Sequence, residues 1–180
     1  MFSITPTKFK QIQLLVFAVF LLTSFSAFAQ GTLSVSGNSN TIPNGSSTPL
    51  ISNNTDFGSV ELGSANNNTF VLENTAGGGS PSRRLNNITI GITGSSDFSQ
   101  ISSNLGSLKG NQNPINHVIS FSPSSPGIKT ATVTINCTNV TTGNSPYVFT
   151  IQGEGTQPLP EIDITDSSDN ALAINDNFDF

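Results

Sequence analysis

From Gly31 onward apolar and polar residues exchange places at every second position through a series of short runs, and no stretch sustains a period of 3.6. The alternation predicts strands over Leu33 to Gly37, Gly58 to Leu62, Thr69 to Asn74, Asn87 to Thr93, Ile115 to Ser122, Lys129 to Thr138 and Tyr147 to Gln152. Parity assigns their faces, because side chains two apart share one side of a strand. Phe70 goes with Leu72, Ile88 with Ile90 and Ile92, and Ile119 with Phe121. Ala131, Val133 and Ile135 form a fourth set, and Tyr147, Phe149 and Ile151 a fifth. Burying each large apolar side chain contributes roughly 1.5–3 kcal/mol, enough in sum for a core that needs no disulfide. About seven such strands predict an all-β sandwich of two antiparallel sheets.

Turn-forming clusters separate the runs: Pro43-Asn44-Gly45, Gly77-Gly78-Gly79-Ser80-Pro81, Pro123-Ser124-Ser125-Pro126-Gly127 and Thr142-Gly143-Asn144-Ser145-Pro146. Gln157-Pro158-Leu159-Pro160 reads as a stiff linker, since proline restricts the backbone and cannot donate to a sheet. Residues 30–156 are thus expected to form one module, 157–160 a proline linker and 161–180 the beginning of a second repeat. The repeat is legible in an echo. Thr55-Asp56-Phe57-Gly58 follows a strand at Leu33 to Gly37, and Asn177-Phe178-Asp179-Phe180 follows Ile162-Asp163-Ile164-Thr165. A half-finished repeat is expected of a fragment or a truncated gene.

The first 29 residues carry a different pattern. Lys8 and Lys10 precede the apolar stretch Leu14 to Leu22, and Ala27-Phe28-Ala29 offers a small-x-small cleavage site before Gln30. This is the pattern of a secretory signal peptide, and the apolar run is shorter than the roughly 20 residues that cross a bilayer. Secretion or display at the cell surface is expected, without stable membrane insertion after cleavage.

Charge narrows the partners. Losing Lys8 and Lys10 takes the formal net charge from −5 to −7, and the basic residues left are Arg83, Arg84, Lys109 and Lys129, in no stripe. Phosphate binding draws on clustered cations, so nucleic acid is not an expected partner. With no Trp and a single Tyr147 of inward parity, the chain also lacks the exposed aromatics on which sugars stack.

Candidate chemistry is sparse. The lone histidine, His117, shares the parity of Ile119 and Phe121 and is expected at the rim of the core rather than in a catalytic or metal role. Cys137, the lone cysteine, shares the parity of Val133 and Ile135 and reads as a small buried hydrophobe. Gly77-Gly78-Gly79 lacks the Gly-Lys-Ser/Thr ending of a phosphate loop. Asp163, Asp166 and Asp169 are oxygen donors three apart, but their spacing fits no EF-hand loop. Asn87-Ile88-Thr89 and Asn139-Val140-Thr141 are glycosylation triplets of a kind that an Asn-rich chain produces by chance. No catalytic residue, cofactor-binding residue, metal ligand or cofactor is assigned, and the chain is not expected to be an enzyme.

Several of these runs resemble one family in order as well as content. Thr55-Asp56-Phe57-Gly58-Ser59-Val60 followed by Asn68 to Thr75 is similar to the opening of bacterial choice-of-anchor D modules, Ig-like relatives of the ASH/hydin and major-sperm-protein-like domains. Ile119-Ser120-Phe121-Ser122-Pro123, Gly127 and Thr130 to Ile135 resemble that family's central strand, turn and long hairpin strand, and Phe149 to Thr156 its closing strand. The resemblance covers roughly Gly31 to Thr156. It implies an Ig-like β-sandwich in a secreted or surface-displayed bacterial protein, monomeric as a module and repeated along a longer chain. The expected function is noncatalytic: structural spacing or adhesion to an unknown protein or surface. Two alternatives are a carbohydrate-binding accessory module of a secreted enzyme and a periplasmic chaperone-like domain that binds client strands at its edge. The loops at Gly77 to Arg84 and Asn104 to Pro114 are expected to be the surfaces least constrained by the core.

Overall fold

The computed structural model describes residues 30–77, 83–102, 105–110 and 112–158. Both the leader and the acidic repeat after the linker, with Asp163, Asp166 and Asp169, lie outside the described residues. All seven expected strands are present: β1 (Leu33–Gly37), β3 (Asp56–Glu61), β4 (Asn66–Asn74), β5 (Leu85–Gly94), β8 (Ile115–Phe121), β9 (Gly127–Thr138) and β10 (Tyr147–Thr156). Three short strands join them: β2 (Asn40–Thr41), β6 (Phe98–Gln100) and β7 (Gly106–Leu108). Runs of two or three residues are too short to display a period, so the sequence pattern does not reveal them.

The strands form two five-stranded sheets, in the orders β2-β1-β4-β8-β6 and β3-β10-β9-β5-β7. Their inner faces enclose the core of an Ig-like β-sandwich. Pairing is antiparallel except between β3 and β10, which run parallel. Within that pair Asp56 faces Gln152 and Ser59 faces Glu154, three residues against two, so β3 bulges at Phe57-Gly58. Gly58 adopts φ 68, a left-handed conformation that favours glycine at this bulge.

Parity survives into the core. Phe70, Leu72, Ile119, Phe121, Val133, Ile135, Tyr147, Phe149 and Ile151 are all buried. Phe57 and Phe121 bring the two sheets together, with ring centroids 6.0 Å apart, and Phe98 stacks on Phe121 at 4.7 Å. Opposite Phe121 the chain must be bare: a Cβ on Gly153 would lie 2.5 Å from the phenyl ring. Ile88, Ile90 and Ile92 share the inner face as expected, Ile90 and Ile92 being only partly buried. Asn87 takes φ 51 where the register of β5 on β9 shifts, placing an extra residue there, so Leu85 and Ile88, three apart, both point inward.

Chain entry and exit lie at opposite ends of the sandwich. Gly31 bridges Val140 beside the β9–β10 turn, where β10 begins. Thr156 ends β10, paired with Glu61 and next to the β8–β9 turn, where Gly155 faces Gly127. Ten residues of β10 separate the two, about 33 Å of extended strand.

Candidate functional site

The phrase Thr55-Asp56-Phe57-Gly58 is structural at each position. Thr55 donates its hydroxyl to Asn53 Oδ1 at 2.6 Å, both residues being buried. Asp56 accepts the Gly58 N–H through Oδ1 at 2.8 Å and the Gln152 side-chain amide through Oδ2 at 3.0 Å. Its carboxylate therefore shapes the bulge and ties it to β10. Phe57 fills the core. The phrase contributes no chemistry to a site.

His117 sits deeper than the rim position expected of it. It is 2 % exposed, faces Phe70 across the β4–β8 ladder, and neither ring nitrogen has a hydrogen-bond partner. Burial pulls its pKa below the ordinary histidine range, because a charged imidazolium loses its hydration there. With no partner to hold a tautomer, the ring is a polar occupant of the core. Cys137 is buried on the parity expected for it, and burial pushes its thiol pKa up, against a smaller opposing hydrogen bond from Ser145. A protonated, enclosed thiol is a poor nucleophile. Among the described residues no three of His, Cys, Asp and Glu gather in a way that could hold a metal ion.

Asn74 and Asp97 are buried polar residues for which no role was assigned. Asn74 Oδ1 accepts the N–H groups of Thr32 at 3.0 Å and Ala76 at 3.2 Å, while its amide donates to the carbonyls of Arg83 at 2.7 Å and Leu108 at 3.0 Å. One side chain thus fastens the entry segment, the β4–β5 loop and β7. Its signal in the sequence is parity: Phe70, Leu72 and Asn74 all point inward, and an inward amide must find partners. Asp97 does the equivalent at the exit end. Its Oδ1 accepts Ser124 N–H at 3.2 Å; hydrogen bonding from the Ser124 side chain above all, then from the Ser124 backbone and Ser95, with Lys129 assisting, holds the carboxyl below its ordinary range against the cost of burial.

The loops expected to be least constrained are more constrained than that. Leu108, inside 104–114, is fully buried on β7, and within 77–84 Arg83 donates to the Gly77 carbonyl. The reason is pairing: β7 lies against β5, with Leu85 opposite Leu108. Residues 78–82, 104 and 111 of those loops lie outside the described residues. The glycosylation triplets at Asn87 and Asn139 also occupy structural positions. Asn87 is the exposed bulge residue, and Asn139, also left-handed, donates its amide to the Arg84 carbonyl at 2.7 Å.

No protein-family profile matches the chain, and no curated protein matches it. Solved structures do. The CARDB domain of a Pyrococcus furiosus protein, in solution, is 16 % identical with a TM-score of 0.42 over 72 % of this chain and 98 % of that one. The same domain crystallised with di-metal ions gives 14 % and 0.40, over 74 % and 100 %. The SrpA adhesin of Streptococcus sanguinis gives 12 % and 0.38, over 71 % and 58 %. At such identities and scores the sandwich assignment rests on this chain's own strand order and pairing.

Proposed function

We propose that the chain carries a noncatalytic structural or adhesive module of a secreted or cell-surface protein, acting by spacing and by presenting its surface to a protein or surface ligand. The observation that carries this reading is the placement of chain entry and exit at opposite ends of β10. A domain threaded in this way adds its length to an array, whereas one with adjacent termini hangs off the side. Burial of His117 and Cys137 supports the noncatalytic half, since these are the chain's only imidazole and thiol. The resemblance to choice-of-anchor D modules, the leader ending at Ala29 and the echo after Pro160 support export and repetition.

Expression of the whole chain in a bacterial host with a functional secretion pathway tests the address. The exported product should begin at Gln30. Retention of an uncleaved, membrane-bound chain would remove the secreted reading. Turnover of an ester, peptide or glycoside that disappears in His117→Ala would remove the noncatalytic one.

A further inference from the structure

Strand β5 is unfinished along part of its outer edge. Ser95 N–H donates to the Thr130 carbonyl at 2.9 Å, and this sets which residues of β5 face β9. In an antiparallel ladder hydrogen-bonded and non-bonded pairs alternate, so Thr89, Gly91 and Thr93 point their backbone groups at β9 while Ile90, Ile92 and Gly94 point theirs away. Strand β7 covers that outer edge only at Leu85 and Ile88, opposite Leu108 and Gly106. Among the described residues the strand pairing stops beyond Ile88. The Ile90 carbonyl is met by a side chain, Gln100 Nε2 at 3.0 Å, reaching over from β6 in the other sheet. Among the described residues nothing pairs with the N–H of Ile90 or with the N–H and C=O of Ile92.

The side chains are incomplete at the same two residues. Ile90 lies opposite Ile135 and Ile92 opposite Val133, both partners fully enclosed, so both isoleucines face inward. They are nevertheless only partly buried against the core. Among the described residues, unpaired backbone groups and partial apolar cover coincide at one slot, in line with β7 and about five residues long.

The edge strands β3, β2 and β6 are protected. β3 is bulged, carries Asp56 and Glu61, and has its Phe57 carbonyl capped by Asn66 Nδ2 at 2.8 Å. β2 and β6 have two and three residues. From Leu85 to Gly94, by contrast, β5 contains no charged residue and no proline, the usual devices against strand addition.

We propose that the outer edge of β5 from Ile90 to Gly94 is a strand-addition site for an extended, uncharged peptide segment of a partner protein, with aliphatic side chains at alternate positions. The segment extends the line of β7 antiparallel to β5. Its backbone pairs with Ile90 and Ile92, displacing Gln100 from the Ile90 carbonyl, and its inward aliphatic residues complete the cover over the two isoleucines. The site goes beyond the spacer reading and holds for a module of any other role.

Amide hydrogen exchange on the 15N-labelled whole chain tests it, with a five-residue peptide of alternating threonine and valine, capped at both ends, as probe. Saturating peptide should slow exchange at Ile90 and Ile92 at least tenfold and leave Gly91 and Thr93, already bonded to β9, unchanged. The same peptide N-methylated at alternate amides should do nothing. Ile92→Pro, which removes an outward N–H that β9 does not use, should abolish protection in a chain that stays folded. Gln100→Ala should strengthen binding by freeing the Ile90 carbonyl. Absence of protection at saturating peptide, or equal protection by the N-methylated probe, overturns the proposal. So does protection of Ile90 and Ile92 before peptide is added: if independent of protein concentration the slot holds a segment of its own chain, and if rising with concentration it holds a second copy.

Discussion

Phe121 and His117 lie four residues apart on one face of β8, and their side chains set opposite terms in the stability of the core. Phe121 touches the rings of Phe57 and Phe98 and closes over the bare backbone of Gly153. Phe121→Ala should lower unfolding free energy by about 3–5 kcal/mol in urea titration, through lost burial and the cavity left behind. Equal stability of variant and wild type would show that β8 does not line the core. Burial holds the His117 pKa below that of the unfolded chain, so the folded state is the poorer proton acceptor. Above about pH 6.5 the imidazole is neutral in both states and has no effect. As the pH falls below that value the unfolded chain gains a proton that the folded one does not. Stability then drops by up to about 1.4 kcal/mol per pH unit until the folded pKa is passed. Urea midpoints between pH 7.5 and pH 5 should fall in the wild type and stay flatter in His117→Leu. Parallel curves would mean that the ring is hydrated in the folded state.

Among the elements, legibility in the sequence followed length. Runs of five residues or more with clean alternation, such as Thr130 to Cys137, announced both their existence and their inner face, because the pleat converts a period of two into burial. β6 and β7 were silent. Phe98 and Leu108 are fixed by what lies across from them, Phe121 and Leu85, and pairing partners distant in sequence leave no local pattern. The open edge of β5 was silent for the same reason, since it is defined by where β7 stops. Asn74 was half legible: inward parity was visible, its four partners were not. Asn74→Leu keeps the volume and loses those bonds, stranding the carbonyls of Arg83 and Leu108. A loss of about 2–4 kcal/mol is expected, from the cost of leaving buried polar groups unmatched. Exchange should speed up first at Leu85 and Leu108, where β7 is tied down. Unaltered exchange at β7 would show that the strand is held by Leu108 burial alone.

For the whole molecule, the described strands of both sheets and the core they enclose lie between Gly31 and Thr156, and each of these strands finds a pairing partner within those bounds. The last anchored residues are Thr156, whose carbonyl accepts Leu62 N–H at 2.9 Å, and Gly155, opposite Gly127. Pro158 stands just beyond them, unable to prolong the ladder. Residues 31–158 expressed alone should therefore fold cooperatively with a β-sheet circular dichroism spectrum. Their urea midpoint should match that of the chain from Gln30 to Phe180, because each described strand is already paired within residues 31–158. A midpoint clearly lower in the shorter chain would mean that the segment after the linker packs on this sandwich. Greater protection at Ile90 and Ile92 in the longer chain would locate that packing at the β5 edge; elsewhere on the surface it would mark a contact between successive repeats.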